Sequence, residues 1–263
     1  NTLKKFFNFI TKRFKRLYPL HLFFLIIFLI LEIFKYIIVT KFDIQANNIP
    51  FSHNNLKNFT LNLFFVQHFA NEISFNGPSW SISVEMMLYS TFGVILLIFR
   101  KKSLIIYLYI FYVIFFIFFL NQEYGKSLSI SAFYSGLYSF SIGCLFFFIF
   151  QKINNFYKST IYRDLIFYLL ISIFLFEVFY FHLIKQKYLY SIIFGIIFFY
   201  SCFLNKNFFL FKIFFNNFFN FLGKISYSIY MCHLMVFFIF DNILKHVFKY
   251  ETKFYDGKII LDL

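Results

Sequence analysis

The chain has 263 residues, of which 61% are hydrophobic and only 14% charged. Soluble domains carry about 25% charged and 45–50% apolar residues, so a water-soluble fold would have nowhere to place this much apolar surface, and a soluble enzyme is excluded. The net charge of +14 is spread in short basic clusters between apolar runs, the pattern of topology signals on a membrane protein and not of a nucleic-acid-binding face.

A spanning helix needs about 20 mostly apolar residues. Seven segments qualify, at about 17–40, 80–99, 103–120, 130–150, 165–184, 188–204 and 225–244. The expected fold is therefore all-α, a polytopic transmembrane helix bundle of about seven spans forming one integral-membrane domain. With the N-terminus inside, the inner segments hold fifteen Lys and Arg residues and the outer ones nine, so the positive-inside rule places the N-terminus in the cytoplasm. Phe, at 51 residues, is so abundant that an individual Phe reads as lipid-facing filler. Cys144, Cys202 and Cys232 lie inside apolar segments, with neither a zinc spacing nor a disulfide framework.

In chain order, Lys12-Arg13-Phe14-Lys15-Arg16-Leu17-Tyr18-Pro19 stands at the inner mouth of the first span, with Pro19 suited to the first turn of a helix. The cluster reads either as a topology anchor touching anionic lipid or as an arginine clamp for a phosphorylated ligand, because the guanidinium fork matches phosphate oxygens. Glu32 has Lys35 three residues on, the spacing of a helical ion pair. Residues 41–79 form a long outer segment whose apolar stretch Leu61–Val66 reads as a re-entrant or interfacial helix.

Asn76-Gly77-Pro78-Ser79-Trp80-Ser81 then breaks the chain and opens the second span, with Trp80 at interfacial depth. Glu85 follows one turn inside, and Ser81 and Tyr89 lie four residues to either side of it, on one helical face. An ionisable group within a span is costly, so Glu85 is a functional candidate; the bland alternative is an aromatic-belt helix start whose glutamate faces outer water. Glu177 has no basic residue within a turn. Residues 205–222 read as a helix on the inner surface. In the last span Ser226, Tyr230 and His233 make a polar stripe able to shuttle protons, hold a polar substrate or join helices. His21, His53, His68 and His246 have no partner at a recognisable spacing.

Three landmarks in fixed order become informative together: Arg13-x-x-Arg16 running into Tyr18-Pro19, Pro78-Ser79-Trp80-Ser81-x-x-x-Glu85, and Leu222-Gly223-Lys224-x-Ser226-Tyr227-Ser228-x-Tyr230-x-x-His233. This resembles acyltransferase family 3, bacterial membrane enzymes that O-acetylate cell-surface glycans and some small molecules. The resemblance covers nearly the whole chain. It implies an acetyl-CoA (or other acyl-CoA) donor on the cytoplasmic side, a glycan or lipid-linked saccharide acceptor, residence in the bacterial inner membrane, and no metal. Arg13 and Arg16 match the family's essential arginine pair and become the expected donor-binding residues. Trp80, Ser81 and Glu85 match its tryptophan–glutamate motif, and Ser226, Tyr227 and His233 its late helix. The expected catalytic residues are Glu85, His233 and Ser81, with Trp80, Tyr89, Ser226 and Tyr230 contacting substrate.

Two departures accompany the resemblance. The family normally begins with two further helices, bearing an arginine, a histidine and a Phe-Phe-x-x-Ser-Gly-Phe stretch, and ends with one more, so the chain reads as incomplete at both ends. On the topology above, Glu85 lies near the outer face and Arg13 and Arg16 near the inner one, so no compact site is expected to contain both. A transporter of a lipid-linked polar sugar, with Glu32, Glu85 and Glu177 along its path, and a non-catalytic assembly partner remain open beside the transferase.

Overall fold

The computed structural model describes residues 2–42, 49–70, 72, 74–99, 101–117, 128–153, 161–176, 187–204, 209–246, 252–255 and 258–261. Glu177 and the rest of the 177–186 segment lie outside them. The described chain is an all-α membrane helix bundle: α1 Thr2–Phe42, α2 Leu56–Leu63, a 3-10 turn Gly77–Ser79, α3 Trp80–Ile98, α4 Lys102–Phe115, α5 Leu128–Ile153, α6 Ile161–Phe176, α7 Lys187–Ser201, α8 Phe209–Phe214 and α9 Asn217–His246. A short antiparallel ribbon, β1 Thr252–Tyr255 with β2 Lys258–Leu261, follows the helices.

Three stretches, Leu3–Phe42, Gly77–Ile98 and Ala132–Ile153, are long and apolar enough to cross a membrane. No more than 28% of the most apolar window in any of them is buried in protein. Phe23, Ile26, Ile30, Ile33 and Phe34 all stand exposed on α1, an apolar surface of the kind that lipid or another apolar helix covers. Lys102–Phe115, Leu165–Phe176 and Leu189–Ser201 are shorter apolar helices.

Two sequence expectations change here. The first helix does not begin near residue 17: α1 runs 41 residues from Thr2, about 60 Å at 1.5 Å per residue. Pro19 therefore sits inside the helix, not in its first turn. Residues 2–18 contain no breaker and many good helix formers, so the helix propagates across the proline although Pro19 has no N–H to give the Lys15 carbonyl. The Tyr227 hydroxyl donates to the Leu17 carbonyl at 2.8 Å, just ahead of the proline. The surface helix expected over 205–222 is divided into α8 and the start of α9, because the Asn216 side chain accepts the Phe219 N–H at 2.9 Å and caps a new helix there.

The chain divides into two compact units, Asn1–Phe14 with Val84–Leu222, and Lys15–Ser83 with Gly223–Leu263. In the first, α5 packs on α4 and α7, and α6 on α7. Val84, Leu88 and Leu137 form one buried cluster, Ile95, Ile105 and Tyr109 another. Phe116 stacks on Tyr138 at 4.5 Å between ring centroids. Gly195 lets α7 approach α5 closely, since a Cβ there would stand 2.6 Å from the Phe146 ring.

In the second unit the outer segment is built around α2. Asn55 caps it by accepting the Asn58 N–H at 2.9 Å. It ends within the apolar stretch expected to be helical: the Val66 N–H reaches the Leu61 carbonyl and the Phe65 N–H the Asn62 carbonyl, the paired bonds of a Schellman motif. The residue that turns the chain is Phe65, at φ 60°, where glycine is usual. A left-handed non-glycine residue costs about 1–3 kcal/mol and persists only where its surroundings hold it. The Phe65 ring is buried against His21 and Tyr18, and its carbonyl accepts from the Ser83 hydroxyl at 2.5 Å.

Glu32 ties the start of this segment to α1. Besides Lys35 at 3.1 Å, its carboxylate accepts the Phe51 N–H at 2.7 Å and the Asn54 amide at 3.1 Å. Phe51 is the other residue with positive φ, also 60°, so the carboxylate holds a strained peptide in place. Glu32→Ala would leave that N–H and the Asn54 amide without their acceptor. We expect it to lower stability by about 2–4 kcal/mol, seen as a fall in the thermal unfolding midpoint of detergent-purified protein. An unchanged midpoint would contradict this role.

Candidate functional site

In the first unit the residues that meet come from the N-terminal part of α1 and from α3. Gly93 lets the Phe6 ring come close, as a Cβ there would stand 2.5 Å from it. Phe9 packs on Tyr89 and Phe92 at 6.0 and 5.6 Å. One turn further along α1, the Arg13 guanidinium lies over the Tyr89 ring, 4.9 Å from its centroid, and 5.3 Å from that of Phe9. The Tyr89 hydroxyl donates to Glu85 Oε1 at 2.5 Å, a charge-assisted bond one helical turn long. A cation and a carboxylate thus flank one phenol, the cation held by the negative face of the ring.

This arrangement overturns the expectation that Arg13 and Glu85 stand at opposite ends of the membrane. The cause is the extension of α1: the basic cluster is not a flank preceding the helix but part of it, and it runs antiparallel beside the middle of α3. Lys12, Lys15 and Arg16 are exposed.

The remaining expected residues belong to the second unit. Ser81 lies in the first turn of α3. Its hydroxyl lies 2.8 Å from that of Tyr230 and 3.0 Å from the Pro78 carbonyl, and the Tyr230 hydroxyl reaches the same carbonyl at 3.0 Å. Two hydroxyl protons serve three edges of this triangle, so one edge is always without a proton. The Asn76 amide donates to the Met231 carbonyl at 2.9 Å and fastens the same turn to α9. His233 Nδ1 faces the Tyr230 carbonyl. A carbonyl only accepts, so Nδ1 carries the proton and the neutral ring presents its lone pair at Nε2. Ser226 bonds only back to the Gly223 carbonyl at 2.9 Å, within its own helix. Trp80 is 44% exposed, with its ring 5.4 Å from that of His68.

Sequence reasoning missed a buried polar network in this unit. His21 Nε2 donates to the Asn62 carbonyl at 2.8 Å, the Asn62 amide to the Asn58 carbonyl at 2.7 Å, Ser79 Oγ to Asn62 Oδ1 at 3.4 Å, and the Gln67 amide to the Ser79 carbonyl at 3.1 Å. All five side chains are at most 3% exposed. Among the described residues, His21 Nδ1, Asn58 Oδ1, Gln67 Oε1, Ser74 Oγ and Asn76 Oδ1 have no hydrogen-bond partner, and each such buried atom costs about 1–3 kcal/mol. The available sequence signal was Asn58 and Asn62, one turn apart on a short helix. Among the described residues no group of His, Cys, Asp or Glu is placed to hold a metal ion.

A family model described as an acyltransferase domain matches residues 2–253. No curated protein and no solved structure matches the chain.

Removing the Tyr230 hydroxyl leaves Ser81 with Pro78 alone and takes away one link between α9 and the turn. Tyr230→Phe is expected to destabilise the protein by about 1–2 kcal/mol, measured as a lowered thermal midpoint in detergent. A midpoint equal to that of the parent would show that the triangle contributes nothing to holding the helices together.

Proposed function

The chain belongs to acyltransferase family 3, and from that premise we propose that it is a membrane O-acyltransferase moving an acetyl group from acetyl-CoA to a hydroxyl of a cell-surface or lipid-linked polysaccharide. The family makes it an acyltransferase in a membrane; the donor, the acceptor and the acetyl group are our reading. The observation that carries it is the Arg13–Tyr89–Glu85 arrangement, an oriented carboxylate beside a fixed cation inside an apolar bundle.

In the transfer the acceptor oxygen attacks the thioester carbonyl, the new C–O bond forms, the C–S bond breaks, and the hydroxyl proton ends on the leaving thiolate. Glu85 is the base that receives this proton, and Tyr89 fixes which carboxylate oxygen is free by donating to Oε1. Arg13 holds Tyr89 and supplies positive potential where the carbonyl oxygen becomes anionic. Lys12, Lys15 and Arg16, exposed on neighbouring turns of α1, have the chemistry to receive the donor's phosphates, in keeping with a donor on the cytoplasmic side. Trp80, Ser81, Tyr230 and Ser226 offer an indole face and hydroxyls to a saccharide. His233, with its lone pair directed by the backbone, is a second proton acceptor on the late helix. The membrane is the bacterial inner membrane, where an acyl-CoA pool meets lipid-linked glycan.

Base-labile acetate on surface glycan, measured in cells lacking the gene and in the same cells given it back, tests the activity. Loss and return of acetate is the expected result; no loss on deletion would contradict it and favour transport or assembly. Glu85→Gln is expected to abolish acetylation, at least a hundredfold by the usual contribution of a general base, while the protein still inserts into the membrane. Normal acetylation by that variant would remove Glu85 from the chemistry.

A further inference from the structure

Four of the five buried side-chain atoms without a partner in the second unit, those other than Ser74 Oγ, share one property that hydrogen-bond chemistry fixes. The amides of Asn58, Gln67 and Asn76 each donate to a backbone carbonyl, those of His53, Ser79 and Met231. Flipping any of them would set oxygen against oxygen, so in each case the leftover atom is the side-chain oxygen. His21 spends its Nε2 proton on the Asn62 carbonyl, which leaves Nδ1 as a lone pair in the neutral ring. Each of these four is therefore an acceptor that needs a donor, while the fifth, the Ser74 hydroxyl, can both donate and accept. Native interiors pair such atoms almost without exception, and a cluster of exceptions of one kind points to a ligand of the opposite kind.

The cover over this cluster has its own signature. α2 is inside out: Asn58 and Asn62 point inward while Leu56 and the flanking Phe64 are more than 70% exposed. The segment carrying α2 is bounded by Phe51 and Phe65, the two non-glycine residues in the left-handed region. Strain of this sort, placed at both ends of one short segment, marks the positions where the backbone changes conformation when the segment moves.

We propose that His21, Asn58, Gln67 and Asn76 form a closed subsite for a hydroxyl-rich ligand, a saccharide, which supplies the donors they lack, and that α2 is its cover. The inference rests on the acyl-transfer reading for the identity of that saccharide as the acceptor glycan. Sugar hydroxyls donate to neutral oxygen and nitrogen acceptors without bringing a charge into the bundle, which an ammonium ion would do. Ser79, whose carbonyl and hydroxyl both belong to the network, adjoins Trp80 and Ser81, so the subsite is continuous in sequence with the residues assigned to substrate contact.

The test uses membrane vesicles from cells expressing the chain, with labelled acetyl-CoA as donor and the host's surface glycan, stripped of ester groups by mild base, as acceptor. Gln67→Met and His21→Phe each remove one leftover acceptor at similar volume. Each is expected to raise the KM for glycan about tenfold, the effect of losing roughly one hydrogen bond, with the KM for acetyl-CoA unchanged. An unchanged glycan KM, or equal losses for both substrates, overturns the subsite. In case the variants fail to fold, hydrogen exchange of the α2 amides is followed in the unaltered protein with and without the stripped glycan. Slower exchange with glycan is expected, and identical exchange overturns the proposal. If the unaltered protein transfers no acetyl group yet α2 is protected, the acyl-transfer reading falls and the subsite stands. If transfer proceeds while α2 and both variants are indifferent to glycan, the subsite alone falls.

Discussion

The contact of Arg13 with the face of Tyr89 depends on α1 continuing as one helix through its own basic cluster and through Pro19. Were the helix to begin at the proline, the guanidinium would lie on a surface flank, free to follow water and lipid headgroups. Because it does not, a cation is carried beside the middle of α3, where the polar groups available to it are the π-face of Tyr89 and, through the hydroxyl, the Glu85 carboxylate. Charges within a bilayer are tolerated when each has such a partner. Small residues on the facing helix make the approach possible, with Gly93 receiving the Phe6 ring one turn away.

The same economy governs Glu32, whose carboxylate takes three donors and holds a strained peptide at Phe51. It does not govern the His21–Asn62–Ser79–Gln67 network, which closes over acceptors with no donor. That contrast separates a carboxylate with a structural task from a cluster built for something else. It also accords with α2, whose Asn58 and Asn62 are buried while Leu56, Lys57 and Thr60 are exposed.

Much of the fold was legible in the sequence because lipid imposes a coarse code of apolar runs separated by basic clusters. What it could not show was where a helix overrides a breaker. Pro19 is a good first-turn residue by local rules, yet the residues before it are helix formers and the Tyr227 hydroxyl meets the Leu17 carbonyl beside it, a contact 210 residues away in the chain. The left-handed Phe65 was equally hidden, since local preference calls for glycine and only the His21 and Tyr18 rings with the Ser83 hydroxyl hold a phenylalanine there. Helical spacing correctly put Glu85 and Tyr89 together. Ser81 lies one turn earlier on the same helix, and its hydroxyl meets that of Tyr230 on α9. His21 was left unassigned because its partner is a backbone carbonyl, and backbone partners leave no mark in a sequence.

The claim on which this account turns is that position 13 of α1 and position 89 of α3 face each other in the membrane. Cysteines placed at both positions, with Cys144, Cys202 and Cys232 changed to serine, can be treated in intact membranes with a short bifunctional thiol reagent. Efficient intramolecular cross-linking, absent when the first cysteine is moved two residues to position 15 on the other side of α1, is the predicted result. No cross-link between 13 and 89, with both thiols still able to react singly, would return Arg13 and Glu85 to separate ends of the membrane and dissolve the site.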